Sequence, residues 1–237
     1  MSLIGQIVAM NPELMKRFID SIEYLRKMDF FQEYSSLSSG EILDRIFSGE
    51  VNCTFWWEEL EGEPARRLRV VAKRSIEENE SLWMKLSDTR IDYYMIPFDT
   101  KRVIKEDPET AIFAEEMGII LLNRLAKISR GIFQPTNVSS RWTTEPKYKW
   151  SVQEVGFDFK GKRHVIQIVL ENDYFMDLGL EELNEIIKDT GYQYYLLSDE
   201  MIIMLMLTKE EAQKLKRERG WGFKYKVYSL RWRPIPR

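Results

Sequence analysis

Leu14, Phe18, Ile22 and Leu25 recur at helical spacing behind Asn11-Pro12-Glu13, which supplies a cap, a first-turn proline and an acid at the helix start. The pattern predicts a helix running to about Met28. Ser38 and Glu41 make a capping box for a short second helix that ends near Gly49. Between 51 and 73, Cys53, Phe55 and Trp57 alternate like a strand, and Glu61-Gly62-Glu63-Pro64 reads as the turn of a hairpin. A short helix around Glu78–Leu86 and a strand, Ile91–Ile96, are expected next. Asp107 and Pro108 then open, and Gly131 closes, a stretch striped by Ile112, Phe113, Met117, Ile120, Leu121 and Ile128. One helix of more than twenty residues is expected there.

Residues 133–146 hold two prolines and a run of Ser, Thr and Asn, which marks a candidate linker between regions 1–132 and 147–237. The two regions are also compatible with packing as one unit. Beyond the linker the alternation is regular. Ser151–Phe159 and Arg163–Leu170 form a hairpin around Lys160-Gly161-Lys162, with Val155, Phe157 and Phe159 on one face. A helix, Leu180–Asp189, stops at Gly191. A second hairpin joins Tyr192–Leu197 to Met201–Leu207 through Ser198-Asp199-Glu200. Thr208 and Glu211 box the start of a helix that stops at Gly220, and Trp221 begins a last strand. The C-terminal order is therefore β-β-α-β-β-α-β. Short-looped hairpins make a largely antiparallel sheet, packed with a helix-rich N-terminal half in an α+β fold.

Composition narrows the class. One cysteine, Cys53, and one histidine, His164, leave no disulfide within the chain and no Cys/His zinc cluster. The longest purely apolar run, Met201–Leu207, is seven residues, where a bilayer needs about 20. A soluble, cytoplasmic protein is expected, with no cofactor, no metal and no membrane partner. Phosphate-cradling glycine loops, a dinucleotide fingerprint and a serine nucleophile elbow are all missing from the sequence.

Charge is unevenly placed. Lys214–Arg237 carries nine basic residues and one acid, about +8 on a chain of net charge -3, so the preceding residues hold about -11. Trp221, Phe223, Tyr225, Tyr228 and Trp232 interleave with Lys224, Lys226, Arg231 and Arg233. Such a stripe suits nucleic acid when rings and cations share a face. Here the rings up to Val227 alternate away from Lys224 and Lys226, as in a half-buried strand, and a phase change predicts a bend near Val227-Tyr228. Nucleic acid thus ranks behind docking of the tail on its own acidic body.

Three further clusters are candidates. Asp177, Glu181, Glu185 and Asp189 recur every four residues, a spacing that suits a hard cation or simply a solvated helix face. Asp158 and Lys160 on a strand, with His164 across the turn and Glu154 as a loose further acid, sketch the core of a metal-dependent hydrolase or nuclease. Trp56 and Trp57 ahead of Glu58, Glu59, Glu61 and Glu63 make an aromatic-acidic patch. The first functional reading is a non-catalytic interaction module, inhibitor-like, immunity-like or adaptor-like, that binds a protein partner through an acidic surface. The alternatives are hydrolysis at Asp158 and Lys160, and nucleic-acid binding through the C-terminus. A homo-oligomer paired through edge strands, with Met201–Leu207 one candidate edge, is compatible with the pattern.

Overall fold

The structure, a computed structural model, describes residues 11–51, 81, 84–106, 116–144, 150–171, 174–198 and 202–224. Its helices are α1 (Pro12–Arg26), α2 (Ser39–Ser48), α3 (Asp88–Met95), α4 (Met117–Lys127), α5 (Leu180–Ile187) and α6 (Lys209–Arg219). Its strands are β1 (Val103–Glu106), β2 (Thr136–Trp142), β3 (Trp150–Phe159), β4 (Lys162–Glu171), β5 (Tyr174–Asp177), β6 (Tyr192–Ser198) and β7 (Ile202–Thr208). The fold is mixed α+β, with helices mostly toward the N-terminus and strands toward the C-terminus. The strands form two sheets, in the orders β1-β7-β6 and β2-β3-β4-β5. Contacts divide the chain into two units, Met1–Lys105 with Glu210–Trp221, and Glu106–Lys209 with Gly222–Arg237.

In the first unit, the capping signals of α1 and α2 are satisfied atom by atom. Asn11 caps α1 by accepting from the Glu13 N–H at 2.9 Å, and Leu14, Phe18, Ile22 and Leu25 are fully buried. The Ser38–Glu41 box closes α2 in both directions, and Gly49 ends that helix at φ 75°. The expected strand Ile91–Ile96 is instead the helix α3 running into a 3-10 turn, Ile96–Phe98. Six mostly apolar residues do not distinguish strand from helix by period. The cap decides it: the Ser87 hydroxyl accepts from the Arg90 N–H, and Ile91 and Met95, four apart, both turn inward. Phe31 adopts φ 59°, and its N–H donates to buried Asp99 at 2.6 Å.

In the second unit, the segment expected as a linker at 133–146 contains β2, the edge strand beside β3. Val138, Ser140 and Trp142 are half-buried and alternate with exposed Asn137, Ser139 and Arg141. Its Ser/Thr/Asn content reflects one wet face and a serine on the inner one. Of the long helix expected from Asp107 to Gly131, the described part is α4, preceded by a turn at Glu116; residues 107–115 lie outside the described ones. The helix stops at Lys127, because the Ser129 hydroxyl donates to the Ala126 carbonyl at 2.6 Å and accepts from the Phe133 N–H at 3.1 Å. Helix α4 lies on β3 at close range: a Cβ added to Gly118 would stand 2.3 Å from Val155 Cγ2.

The first expected hairpin is present in register, Phe157 opposite His164 and Asp158 opposite Arg163. Lys160 and Gly161 turn at φ 49° and 74°, the paired left-handed residues of a type I′ turn. Val155, Phe157 and Phe159 are all buried, as their alternation requires. Phe133 joins them with its ring 5.4 Å from Phe157 and 6.3 Å from Tyr194, and the Tyr194 hydroxyl donates to the Leu125 carbonyl at 2.7 Å. The second hairpin is also present, and β7, a candidate edge from its sequence, is the middle strand of its sheet. Ile202 to Leu207 are buried at both parities, which a central strand demands. Strand β5 was not foreseen. The other edge of β6 is closed by side chain and backbone: Asn184 bonds both the N–H and C=O of Tyr194, and Lys224 exchanges two backbone bonds with Leu196.

Candidate functional site

The outer face of β2, β3 and β4 carries the Asp158 constellation. Asp158 accepts from Asn137 Nδ2 at 2.7 Å and pairs with Arg163 at 3.3 Å. The Asn137 bond first, then Arg163, holds its carboxyl below the usual carboxylate range. Arg163 also donates to the Asn137 carbonyl at 2.6 Å and the Ser139 hydroxyl at 2.7 Å, so its guanidinium reaches from β4 across β3 to β2. Gly156 makes this crossing fit, since a Cβ there would lie 2.6 Å from Arg163 Nη2. Glu154, the candidate further acid, sits four residues along β3, about 13 Å by strand rise, and is gripped by Arg141 at 2.7 and 3.0 Å.

The other members of that set diverge from Asp158. Lys160 occupies the turn with its ammonium 5.4 Å from the Phe159 ring centroid. His164 points to the opposite face, because its register partner is Phe157 rather than Asp158. Its half-buried imidazole stacks on the Phe157 ring at 5.7 Å and 26°. Among the described residues no three His, Cys, Asp or Glu side chains gather as a metal ion would require.

The acidic stripe is broken by the helix start. Asp177 lies in β5, where its carboxylate accepts from the Gly179 N–H at 3.0 Å, and α5 begins only at Leu180. Glu181, Glu182 and Glu185 are exposed on α5, and Asp189 is exposed in the 3-10 turn behind it. Lys188 pairs with Glu185 at 2.5 Å. The inward side of the same helix is Leu180, Leu183, Asn184 and Ile187. Of the C-terminal candidates, Lys224 is exposed, and the half-buried Phe223 packs its ring 4.8 Å from Tyr195. Trp56, Trp57, Lys226, Arg231 and Arg233 lie outside the described residues, as do the 51–73 hairpin tip and the bend near Val227.

One cluster escaped the sequence reading. Asp92 of α3 is fully buried, accepting from the Ser21 hydroxyl at 2.7 Å and from Trp221 Nε1 at 3.2 Å, with Arg219 Nε at 3.7 Å. Burial pushes its carboxyl up, against the lowering by Ser21, Arg219 and Trp221. Around it, Tyr93 meets Trp221 edge to face at 5.4 Å, and Arg219 lies 4.2 Å over the Tyr24 ring. The Tyr24 hydroxyl donates to Glu218 at 3.1 Å, and burial followed by Glu218 raises its phenol to about 12. Thr89 donates to the Arg219 carbonyl. The only sequence signal was one acid inside an apolar run, Ile91-Asp92 to Ile96, which a strand reading disposes of on an outer face.

Comparison with protein-family models, with curated proteins and with solved structures finds no match to this chain. Among the described residues no helix is long and apolar enough to cross a membrane.

Proposed function

We propose that this protein is a non-catalytic interaction module, inhibitor-like or adaptor-like, that binds a basic surface of a protein partner. The observation that carries the reading is the outward side of α5 and its 3-10 extension. Glu181, Glu182, Glu185 and Asp189 are exposed there, with Lys188 paired to Glu185, while the inward side is anchored by Leu180, Leu183 and Ile187. A rigidly seated row of like charges steers an oppositely charged partner and sets the salt dependence of its approach. Hydrolysis at Asp158 draws less support, because Asp158 and Glu154 are each engaged by an arginine and His164 faces the other way.

The test is a charge reversal on the full chain, Glu181→Lys with Glu182→Lys and Glu185→Lys, positions whose side chains leave the α5 core untouched. Affinity capture from the native source, quantified against wild type at low and high salt, should show a partner lost in the triple variant and weakened by salt. Equal capture by both proteins would remove the proposal.

A further inference from the structure

Helix α6 joins the first unit from far along the chain, and its attachment there differs from that of α1. Helix α1 is seated by four fully buried apolar side chains, Leu14, Phe18, Ile22 and Leu25. Within α6 only Ala212 and Leu215 are buried; Trp221, just past its end, is the third apolar anchor. The remaining ties are polar. Trp221 donates to Asp92, Thr89 to the Arg219 carbonyl and Tyr24 to Glu218, while Arg219 stands 3.5 Å from Asp88 and 3.7 Å from Asp92. Glu211 adds a pairing with Arg102 at 3.9 Å.

Apolar burial scales with the area removed from water, whereas a polar tie exchanges bonds to water for bonds to protein and returns only the difference. An element held mainly by the second kind belongs to the low-stability end of a protein's local openings. Gly220, in the left-handed region at φ 67°, supplies a joint between the helix and the Trp221 anchor. We propose that Glu210–Trp221 is a strap that unclasps from the first unit as one element while α1, α2 and α3 stay folded, with the Asp92–Trp221 bond as its clasp.

Native-state hydrogen exchange on the full-length chain tests this at residue resolution. The slow amides of α6, Leu215 to Arg219, should exchange about 10- to 100-fold faster than those of Ile22 and Leu25 in α1. Trp221→Phe, which keeps a ring but deletes the N–H donor, should speed α6 by about a further 10-fold and leave α1 unchanged. Ser21→Ala, which weakens Asp92 from the α1 side, serves as the second variant and should act in the same direction on α6. Equal rates in α6 and α1 of the wild type overturn the proposal, whatever the variants do. So does an acceleration shared by α1 to the same factor, or no acceleration of α6 in either variant.

Discussion

Replacing Asp92 separates the value of its hydrogen bonds from the cost of its charge. Asp92→Ala leaves the Ser21 hydroxyl and the Trp221 N–H without their shared acceptor in a site with no exposure, and takes a carboxylate neighbour from Arg219. A hydrogen bond to a charged group is worth roughly 1.5–3 kcal/mol, so two of them set an upper scale of about 3–6 kcal/mol. The desolvation that raises the Asp92 carboxyl is relieved at the same time, which brings the net loss to about 2–4 kcal/mol. That is a large fraction of the ~5–15 kcal/mol that holds a domain together. Asp92→Asn keeps the volume and one acceptor oxygen and should cost about 1–2 kcal/mol near neutral pH.

The pH dependence discriminates further. Burial raises the folded-state carboxyl above its ordinary 3.8, so the folded protein holds that proton more tightly than the unfolded chain does. The ionised group therefore carries a penalty at neutral pH, and the penalty fades as pH falls through the raised value toward 3.8. The groups facing Asp92 are Arg219 from α6, Asp88 one turn back on α3, and the donors Ser21 and Trp221; Glu218 and Tyr24 lie beyond Arg219. Urea unfolding of wild type and Asp92→Asn between about pH 7 and about pH 4.5 isolates this one titration, since the other groups cancel in the difference. Wild type should gain on the variant as the solution is acidified. If it loses ground instead, Arg219 outweighs burial at this site and the reasoning fails.

Other outcomes can be set against measurement. Gly118→Ala gains about 1 kcal/mol of helix propensity but places a Cβ 2.3 Å from Val155 Cγ2 and 2.7 Å from Gln153 Oε1, an overpacking worth about 1–3 kcal/mol; a lowered Tm is expected. Tyr194→Phe strands the Leu125 carbonyl, which loses a 2.7 Å bond, and should destabilise by about 1–3 kcal/mol in urea melts with no change in far-UV circular dichroism. Asn137→Ala and Arg163→Ala should each move the Asp158 carboxyl up toward its ordinary range in a carbon-detected NMR titration, because each removes a hydrogen bond that lowers it.

What the sequence revealed and what it hid divide along a physical line. Caps, the type I′ turn and the inward triad Val155, Phe157 and Phe159 are local devices, and each was legible from a few neighbouring residues. Ile91–Ile96 misled because an apolar run of that length fits either period, and its cap, Ser87, lay outside the run. Strand β2 hid behind polar residues because an edge strand with one wet face has little apolar alternation to show. The candidate chemistry failed to converge for a geometric reason: in a paired strand Asp158 and His164 fall on opposite faces, so adjacency across a turn is not adjacency in a site. The Asp92 cluster joins Ser21, Asp92, Arg219 and Trp221 from three distant stretches, and no spacing rule connects them. Its consequence reaches back to the basic C-terminal charge, where Arg219 serves a buried carboxylate and Trp221 an inward bond. Of the residues that suggested a nucleic-acid stripe, Trp221 is buried and Phe223 packs on Tyr195, while the Lys224 side chain is exposed.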